Sequence, residues 1–403
     1  MTYPNQNWIC CQLGAREHYA VPRSLHRHDA LHRLFTDAWV WPVNPLGWLK
    51  PTLRARFHSE LTSANVYSAN GSNIAFELRA ILRGVRGWQL ILARNDWFQQ
   101  VAVERLSRVA AVNGPQTVMA YSYAAREIFR FARERGWRTV LGQIDPGPPE
   151  ERIVANLHQA DDALRGGWRP PPPRYWSLWR DECALADRIV VNSRWSFQSL
   201  MQEGVSPEKL RVIPLAYEEA NGTDGFYRTY PKKFTHSRPL KVLFLGQINL
   251  RKGIGPLLEA INLLRGLSIE FSFVGPVQIS IPTELRHDPR VHWIGAVRRQ
   301  DTGRFYRDAD VFIFPTFSDG FGLTQLEAQA WKLPVIASKF CGEVVENGRN
   351  GWLLTEVTSS AIVATLRRCL EDPARLQQLS ECSAGFESFN LDRIGKQWLN
   401  ILD

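Results

Sequence analysis

The chain has 403 residues, 44% hydrophobic and 22% charged, a composition typical of a folded globular protein rather than a disordered one. This length is sufficient for two α/β domains, each with its own core. The formal net charge of +9 favours anionic partners, which include nucleotides, phosphorylated sugars, acidic lipid surfaces and nucleic acid.

Six cysteines are scattered along the chain without a C-x-x-C pair, at Cys10, Cys11, Cys183, Cys341, Cys369 and Cys382. Scattered thiols are typical of a reducing cytoplasm, and each is predicted to be a small buried hydrophobic residue. Residues 1–19 lack a basic segment followed by an apolar one, and no uncharged apolar run approaches the ~20 residues that span a bilayer. We therefore expect a cytoplasmic protein without an export signal.

The amino-terminal half contains apolar runs of strand length, interrupted by proline-rich loops at 145–151 and 169–176. The predicted strands are 8–14, 117–123, 139–145, 186–193 and 210–214. The polar segment 218–240 has no periodic apolar face and is predicted to be a linker.

After this linker, strands alternate with helices of about ten residues, which predicts a doubly wound parallel sheet. The predicted strands are 241–246, 269–275, 291–297, 311–317 and 334–338, with helices at 255–264 and 304–307. We expect two Rossmann-like α/β domains, residues 1–217 and 241–384, facing each other across a cleft. Residues 385–403 are predicted to form a helix that is a candidate to cross back to the first domain.

The stretch FSDGFGLTQLEAQA (317–330) indicates a strand end, a glycine turn and the start of a helix. Gly320 and Gly322 leave room for a ligand beyond the strand, and the amides of Phe321, Gly322 and Leu323 are predicted to face it. Leu333 continues the apolar spacing, so the helix is predicted to run up to Pro334. Taken alone, an ordinary strand–helix connection is the better interpretation.

A second segment, LGQINLRKG (245–253), has the same arrangement of buried strand, glycine and basic residues. Arg251 and Lys252 are placed where a diphosphate would meet both positive charge and backbone amides. The two segments together predict a site for a nucleotide diphosphate.

These segments, with VHWIGAV, DADVFIFPTF and VVENGRNGWLL, resemble in order and spacing the donor-binding half of retaining glycosyltransferases of the GT-B fold, family 4 (group 1). The resemblance is strong over about residues 186–355 and faint over the first 130. It implies transfer of a sugar from a UDP- or GDP-linked donor to a glycan or lipid-linked acceptor. It also implies retention of configuration without a metal, in bacterial surface polysaccharide or glycolipid biosynthesis.

In that family a Glu-x7-Glu pair surrounds the glycine turn, and Asp319 and Glu327 match it here. The resemblance implies that Asp319 holds hydroxyls of the donor sugar and that Glu327 holds the ribose. Aspartate shortens the first side chain by one methylene, which puts the identity of the donor sugar in doubt. Gln247 stands where many relatives carry an arginine, so Lys252, helped by Arg251, is expected to stabilise the diphosphate.

Gly14 matches the family's glycine loop, which lies over the donor phosphates. His18 follows it, and the favoured interpretation is a surface histidine. Gln143 lies near the position where relatives often carry a histidine, and we assign it no catalytic role.

Two basic segments, 16–35 and 79–98, are consistent either with a surface that contacts an acidic membrane or with a solvated arginine face. Nucleic acid is not an expected partner, because no aromatic platform or binding module is present. The altered residues Asp319 and Gln247 leave open a non-catalytic GT-B-like protein that binds a nucleotide sugar or a glycan.

Overall fold

The computed structural model describes residues 7–42, 56–110, 116–161, 163–164, 166–219, 222–383 and 386–402. In these residues the strands form one seven-stranded and one six-stranded parallel sheet. The first sheet contains β1 (Trp8–Gln12), β2 (Leu31–Thr36), β3 (Val66–Ser68), β4 (Thr117–Tyr121), β5 (Arg138–Gly142), β6 (Arg188–Val191) and β7 (Leu210–Val212). The second contains β8 (Leu240–Leu245), β9 (Ile269–Val274), β10 (Val291–Gly295), β11 (Val311–Phe314), β12 (Val335–Ser338) and β13 (Gly351–Leu354).

The helices connect successive strands and cover the faces of the sheets. In the first half they are α1 (Ala20–Arg27), α2 (Asn70–Leu82), α3 (Gly87–Ala110), α4 (Arg126–Arg133), α5 (Pro148–Ala160), α6 (Pro173–Leu185) and α7 (Arg194–Gln202). In the second half they are α8 (Ile254–Leu263), α9 (Thr283–Arg286), α10 (Gly303–Asp308), α11 (Thr324–Ala330), α12 (Ser359–Glu371), α13 (Pro373–Glu381) and α14 (Leu391–Leu399). Short 3-10 helices occur at Arg16–Tyr19, Ser59–Leu61, Leu250–Lys252, Arg299–Asp301 and Phe386–Phe389.

The strand orders place the functional cleft. The orders are β3-β2-β1-β4-β5-β6-β7 and β10-β9-β8-β11-β12-β13. In each sheet the direction in which successive strands are added therefore reverses beside the first strand, at β1 and at β8. Ligands of such sheets bind beyond the carboxyl ends of the strands at this reversal. In the second sheet the reversal lies between β8 and β11, whose following segments carry the two predicted phosphate-binding motifs. The predicted doubly wound α/β class is therefore confirmed.

Buried parallel strands explain why the central strands were predictable. Phe312 of β11 aligns with Leu243 on one side and with Val335 on the other, and all three are fully buried. Both faces of such a strand are covered by helices, so an uninterrupted apolar run is required.

A buried carboxylate caps the start of α4. Glu182 of α6 is 1% exposed and accepts hydrogen bonds from the backbone amides of Tyr123 and Ala125, at 2.6 and 2.7 Å. A side chain from another helix thus takes the place of a local cap and satisfies amides that a helix start leaves unbonded.

Three expectations need correction. The helix after the glycine turn ends at Ala330 rather than continuing through Leu333, because Lys332 adopts a left-handed conformation (φ +54°). Cys382 is exposed, whereas the other five cysteines are buried as predicted. The strands β2, β3 and β13 were not predicted, since they are short or carry charged and polar residues.

The last helix and the segment 218–240 each pack onto one of the two domains. Trp398 of α14 packs edge-on against Trp8 of β1, with ring centroids 6.3 Å apart, so the last helix belongs to the core of the first sheet. In the segment 218–240, Arg228 is 7% exposed and donates to the backbone carbonyls of Tyr306 and Trp331, both at 2.8 Å. This segment is therefore fixed to the second domain along part of its length.

None of the helices in the described ranges combines the length and the hydrophobicity needed to cross a bilayer.

Candidate active site

The segment after β8 forms a short 3-10 helix that fixes two cations. Asn249 caps it, because its Oδ1 accepts from the backbone amide of Lys252 at 3.2 Å. The carbonyl of Arg251 accepts from the Phe317 amide at 2.8 Å, which ties this helix to the loop after β11. Gly253 follows in a left-handed conformation (φ +74°), and a Cβ there would collide with the Pro315 carbonyl. The two predicted phosphate-binding segments are thus packed directly against each other.

Lys252 and Asp319 form a direct ion pair at this junction. The Lys252 side chain is 11% exposed and its ammonium lies 4.7 Å from the centroid of the Phe314 ring. Burial lowers the pKa of Lys252 and Arg251 lowers it further, whereas the Glu150 carboxylate opposes the change. The contact with Asp319 favours the ammonium form, which is the form that would attract a diphosphate.

Arg251 joins the two domains. Its Nη1 donates to the carbonyl of Ser318 at 2.8 Å and lies 3.3 Å from Oε2 of Glu150, at the start of α5 in the first domain. The Ser318 hydroxyl also donates to Glu150, at 2.8 Å, and accepts from the indole of Trp195 at 2.9 Å. Burial raises the pKa of the Glu150 carboxyl, and the Arg251 guanidinium opposes this change. Arg251 is therefore engaged by the carboxylates of Glu150 and Asp319, and its contact with a diphosphate stays a prediction.

The glycines of the turn are required by close packing. Gly322 adopts φ +87°, and a Cβ there would lie 2.6 Å from the Phe314 ring. A Cβ on Gly320 would lie 2.6 Å from the carbonyl oxygen of Ile144, which belongs to the first domain. The loops after β11 and β5 therefore approach each other at backbone distance across the cleft.

One of the three turn amides that were predicted to face a ligand has a partner within the protein. The Phe321 amide donates to Oδ1 of Asp319 at 3.3 Å, so it supports the aspartate inside the turn instead of facing a ligand. The Phe321 side chain is 2% exposed and packs in a small core with Leu326. Gly322 and Leu323 are the last two residues before α11. Both lie between the end of β11 and the start of this helix, and the contact of their amides with a ligand stays a prediction.

Glu327 lies in the first turn of α11 and has a partner that the sequence did not indicate. The Tyr306 hydroxyl, from α10, donates to Oε2 of Glu327 at 2.7 Å. Burial, together with the Glu327 carboxylate, raises the pKa of Tyr306 well above its usual range, so this hydroxyl remains a donor. Tyr306 thus orients the carboxylate that is predicted to hold the ribose.

Gly14 lies in the loop after β1, against residues of the first domain. It adopts φ +86°, its amide donates to Asp37 at 2.8 Å, and a Cβ there would lie 2.9 Å from the Arg56 guanidinium. Further along this loop, His18 contacts Arg299 of the second domain. Burial and the Arg299 charge lower the pKa of His18, which favours a neutral imidazole that accepts from the guanidinium. His18 is exposed, as the sequence interpretation favoured, and it also forms a contact between the domains.

Gln143 supports the loop after β5. Its Nε2 donates to Oδ1 of Asp145 at 3.0 Å, and its Oε1 accepts from the Trp179 indole at 2.9 Å. The Tyr123 hydroxyl also donates to Asp145, at 2.6 Å. Gln143 is 2% exposed, so its role here is to orient Asp145 at the cleft.

Gln247 is exposed and accepts a long hydrogen bond of 3.4 Å from Asn249, the residue that caps the helix of the two cations. The structure thus brings Lys252, Arg251, Asp319 and the glycine turn into one cluster, and Gln247 contacts it through Asn249. Glu327 lies eight residues after Asp319, in the first turn of α11.

Sequence reasoning missed Glu150, Tyr306 and Asp145 as parts of this site. Glu150 and Asp145 lie in the proline-rich segment 145–151, which follows a predicted strand at its carboxyl end. That position was the available signal, since ligands of parallel sheets bind there. Tyr306 gave no signal, because a tyrosine in a short helix is usually a packing residue.

Part of the chain is similar to a known protein family. Residues 239–372 match the family model described as glycosyl transferases group 1. The chain is 25% identical over 207 residues to an amylovoran biosynthesis glycosyltransferase of Erwinia amylovora, covering 46% of this chain and 48% of that one. It is 28% identical over 139 residues to a capsular polysaccharide biosynthesis glycosyltransferase of Staphylococcus aureus, covering 32% and 36%. The chain thus spans about half, or less, of the length of these curated relatives.

Among solved structures, the Anabaena protein HepE in complex with UDP superposes with a TM-score of 0.61 at 16% identity, covering 98% of both chains. At this identity the likeness shows the fold, which is the predicted GT-B arrangement of two Rossmann-like domains. The resemblance to group 1 glycosyltransferases is confirmed for the carboxy-terminal domain by the family match.

Proposed function

We propose that this chain is a glycosyltransferase that moves a sugar from a UDP- or GDP-linked donor to a glycan or lipid-linked acceptor. It retains the configuration of the sugar, works without a metal, and serves bacterial surface polysaccharide or glycolipid biosynthesis on the cytoplasmic side of the membrane. The observation that carries the proposal is the buried Lys252–Asp319 pair, held against the glycine turn at the reversal of the second sheet.

The chemistry follows from where charge develops. When the bond between the anomeric carbon and the diphosphate oxygen breaks, negative charge grows on the phosphate and positive charge on the sugar ring. The ammonium of Lys252, a residue that is 9% exposed as a whole, stabilises the first charge in a site of low dielectric constant. Arg251 adds a second positive charge, partly balanced by Glu150.

Asp319 is assigned to the hydroxyls of the donor sugar. Its two oxygens are already oriented, Oδ2 by Lys252 and Oδ1 by the Phe321 amide. Carboxylate oxygens carry further lone pairs, so hydroxyl donors of the sugar can bind without displacing these contacts. Glu327, oriented by Tyr306, is assigned to the ribose at the other end of the donor.

The comparisons support a nucleotide-sugar donor, since HepE is described in complex with UDP and with UDP-glucose. The names of the amylovoran and capsular polysaccharide relatives support a role in polysaccharide biosynthesis.

The first test is thermal unfolding of the purified protein with UDP, GDP and ADP. A ligand at about 100 times its dissociation constant stabilises the folded state by ~2.7 kcal/mol. We expect UDP or GDP to raise the melting temperature of the wild type and not of Glu327→Ala. Glu259→Ala, which removes an exposed glutamate from α8, is the matched control and should respond like the wild type.

Turnover separates an enzyme from a binding protein. We expect release of free nucleotide diphosphate from the donor when an acceptor extract is present, and loss of this release in Lys252→Ala. Nucleotide binding without release in any extract would instead favour a non-catalytic protein that binds nucleotide sugars, for which the neutral Gln247 is the supporting observation.

A further inference from the structure

The outer face of α2 carries an apolar stripe that no described part of the protein covers. Ile74, Leu78, Ile81 and Leu82 recur at helical spacing and are 43%, 56%, 73% and 85% exposed. Large aliphatic residues grouped on one helix face are uncommon on a solvated surface, and such groups mark contact sites.

The orientation of this face is fixed by the opposite side of α2. Phe76 stacks on Trp97 of α3 with ring centroids 5.3 Å apart, and Glu77 forms an ion pair with Arg94 at 2.7 Å. The Trp97 indole also donates to the Ser72 hydroxyl at 2.9 Å. The helix is therefore held on α3 with its apolar stripe turned outward.

Exposed arginines lie at the end of the stripe and beyond it. Arg79, Arg83 and Arg86 are exposed at the end of α2 and in its connection to α3, and residues 79–94 contain no aspartate or glutamate. The flanking carboxylates, Glu77 and Asp96, are paired with Arg94 and Arg174. This face therefore suits an anionic surface that also accepts aliphatic side chains.

We infer that the α2–α3 face, formed by Ile74, Leu78, Ile81, Leu82, Arg79, Arg83 and Arg86, docks on an anionic lipid bilayer. The connection between the helices protrudes, since no described atom lies within 4 Å of a Cβ built on Gly84 or Gly87. The stripe contains no Trp or Tyr, the residues that usually anchor protein interfaces. Leucine and isoleucine beside arginine is the pattern of a helix that lies in the membrane interface.

The second basic segment, 16–35, is excluded from this surface. Arg23 is 1% exposed and pairs with Glu60 and Glu218, at 2.5 and 2.6 Å, and Arg27 pairs with Glu60 at 2.9 Å. The charges of Arg23 and Arg27 therefore stabilise the first domain instead of facing a partner.

The helix α3, on which α2 is held, also lines a cavity of the first domain. Ile91 of α3 is 38% exposed and also lines a cavity of about 130 Å³, together with Arg16, Tyr121 and Tyr175. This cavity lies beyond the carboxyl ends of β1 and β4, at the reversal of the first sheet. A bilayer on the α2–α3 face would thus bring lipid head groups next to the cleft, which would suit a lipid-linked acceptor.

The inference is tested without donor or acceptor, so its outcome is independent of the transferase proposal. The purified protein is floated with vesicles of phosphatidylethanolamine and phosphatidylglycerol, and with vesicles of phosphatidylcholine. We expect binding to the anionic vesicles only, weakened by salt because exposed charges are screened. Ile81→Ser/Leu82→Ser should reduce the partition coefficient at least about tenfold, and Arg79→Ser/Arg83→Ser/Arg86→Ser about a hundredfold, at about fivefold per arginine.

Matched controls lie on the second domain. Leu263→Ser removes a leucine that is 60% exposed on α8, and Arg286→Ser/Arg367→Ser/Arg368→Ser removes three exposed arginines. Both should bind like the wild type, and unchanged melting temperatures would show that the variants fold. The inference is overturned if the wild type ignores anionic vesicles or if the controls lose binding equally. It is also overturned if light scattering shows a dimer that only Ile81→Ser/Leu82→Ser dissociates, since the occupant is then a second copy.

Discussion

Lys252 and Asp319 are 67 residues apart in the chain, yet their side chains form a direct ion pair in a buried cleft. The neighbouring parallel strands β8 and β11 place the ends of their two strands side by side.

The first prediction concerns this pair. Lys252→Ala should lower the rate of nucleotide diphosphate release by about 10²–10³, because the charge that meets the leaving group is lost. The measurement is the turnover rate at saturating donor.

The control for this substitution is Lys339→Ala. Lys339 also lies over an aromatic ring, 5.3 Å from the centroid of Phe340, but it is exposed. We expect its turnover to equal that of the wild type. Equal activity of Lys252→Ala and Lys339→Ala would remove Lys252 from the mechanism.

Tyr306→Phe should weaken nucleotide binding more than it slows the chemical step. The lost hydroxyl orients Glu327, which is assigned to the ribose and lies away from the bond that breaks. Hydrogen bonds to charged groups contribute about 1.5–3 kcal/mol, so the dissociation constant should rise roughly tenfold or more. Titration calorimetry with the nucleotide and the separation of KM from kcat measure the effect.

Tyr227→Phe is the matched control, because Tyr227 is 86% exposed. Its nucleotide affinity should not change. A Tyr306→Phe protein that keeps full affinity and loses only kcat would show that Glu327 acts on the reacting bond instead.

Gly322→Ala should destabilise the second domain more than Gly266→Ala does. Both glycines have positive φ, +87° and +80°, but only at Gly322 would a Cβ meet the Phe314 ring, whereas no described atom lies within 4 Å at Gly266. The left-handed conformation costs alanine about 1–2 kcal/mol, and displacing a packed ring adds about 1–3 kcal/mol. Urea denaturation compares the free energies of unfolding, and similar losses at the two sites would contradict the packing argument.

The acid stability of the first domain should depend on Glu60. Burial alone would raise the pKa of Glu60, but hydrogen bonds from Arg27 and Arg23 lower it to about 2, from 4.5. Because the pKa is lower in the folded state, this stabilisation is fully present above pH 4.5 and is lost as the pH falls towards about 2. Glu60→Gln should therefore lose about 1–2 kcal/mol at neutral pH, since its carboxylate is only partly screened by solvent.

The measurement for Glu60 is the free energy of unfolding as a function of pH. The loss caused by Glu60→Gln should shrink as the pH falls from 4.5 towards about 2, because the carboxylate is protonated first in the unfolded wild type and only near pH 2 in the folded one. Glu346→Gln is the control, since its pair with Arg349 is exposed on both sides. A constant difference between wild type and Glu60→Gln from neutral to acid pH would contradict the assignment.

The predictability of the fold differed between the two sheets. The strand Val311–Phe314 is covered on both faces, so its sequence is apolar throughout and was predictable. The strand Leu31–Thr36 starts with three partly exposed residues and contains His32 and Arg33, which concealed it. The end of α11 at Ala330 was missed because Lys332 adopts a left-handed conformation that its residue type does not suggest.

The sequence by itself determined the order of the buried central strands, the glycine turns at their ends, and the positions of Lys252, Asp319 and Glu327 in or just after those turns. These features depend on contacts between neighbours in the chain and on burial of whole strands, both of which leave local patterns. Only the tertiary structure decided which of these groups meet. The pairing of Lys252 with Asp319, of Tyr306 with Glu327 and of Glu150 with Arg251 joins distant segments. Such contacts arise when parallel crossovers and two domains bring strand ends together, and no local pattern records that approach.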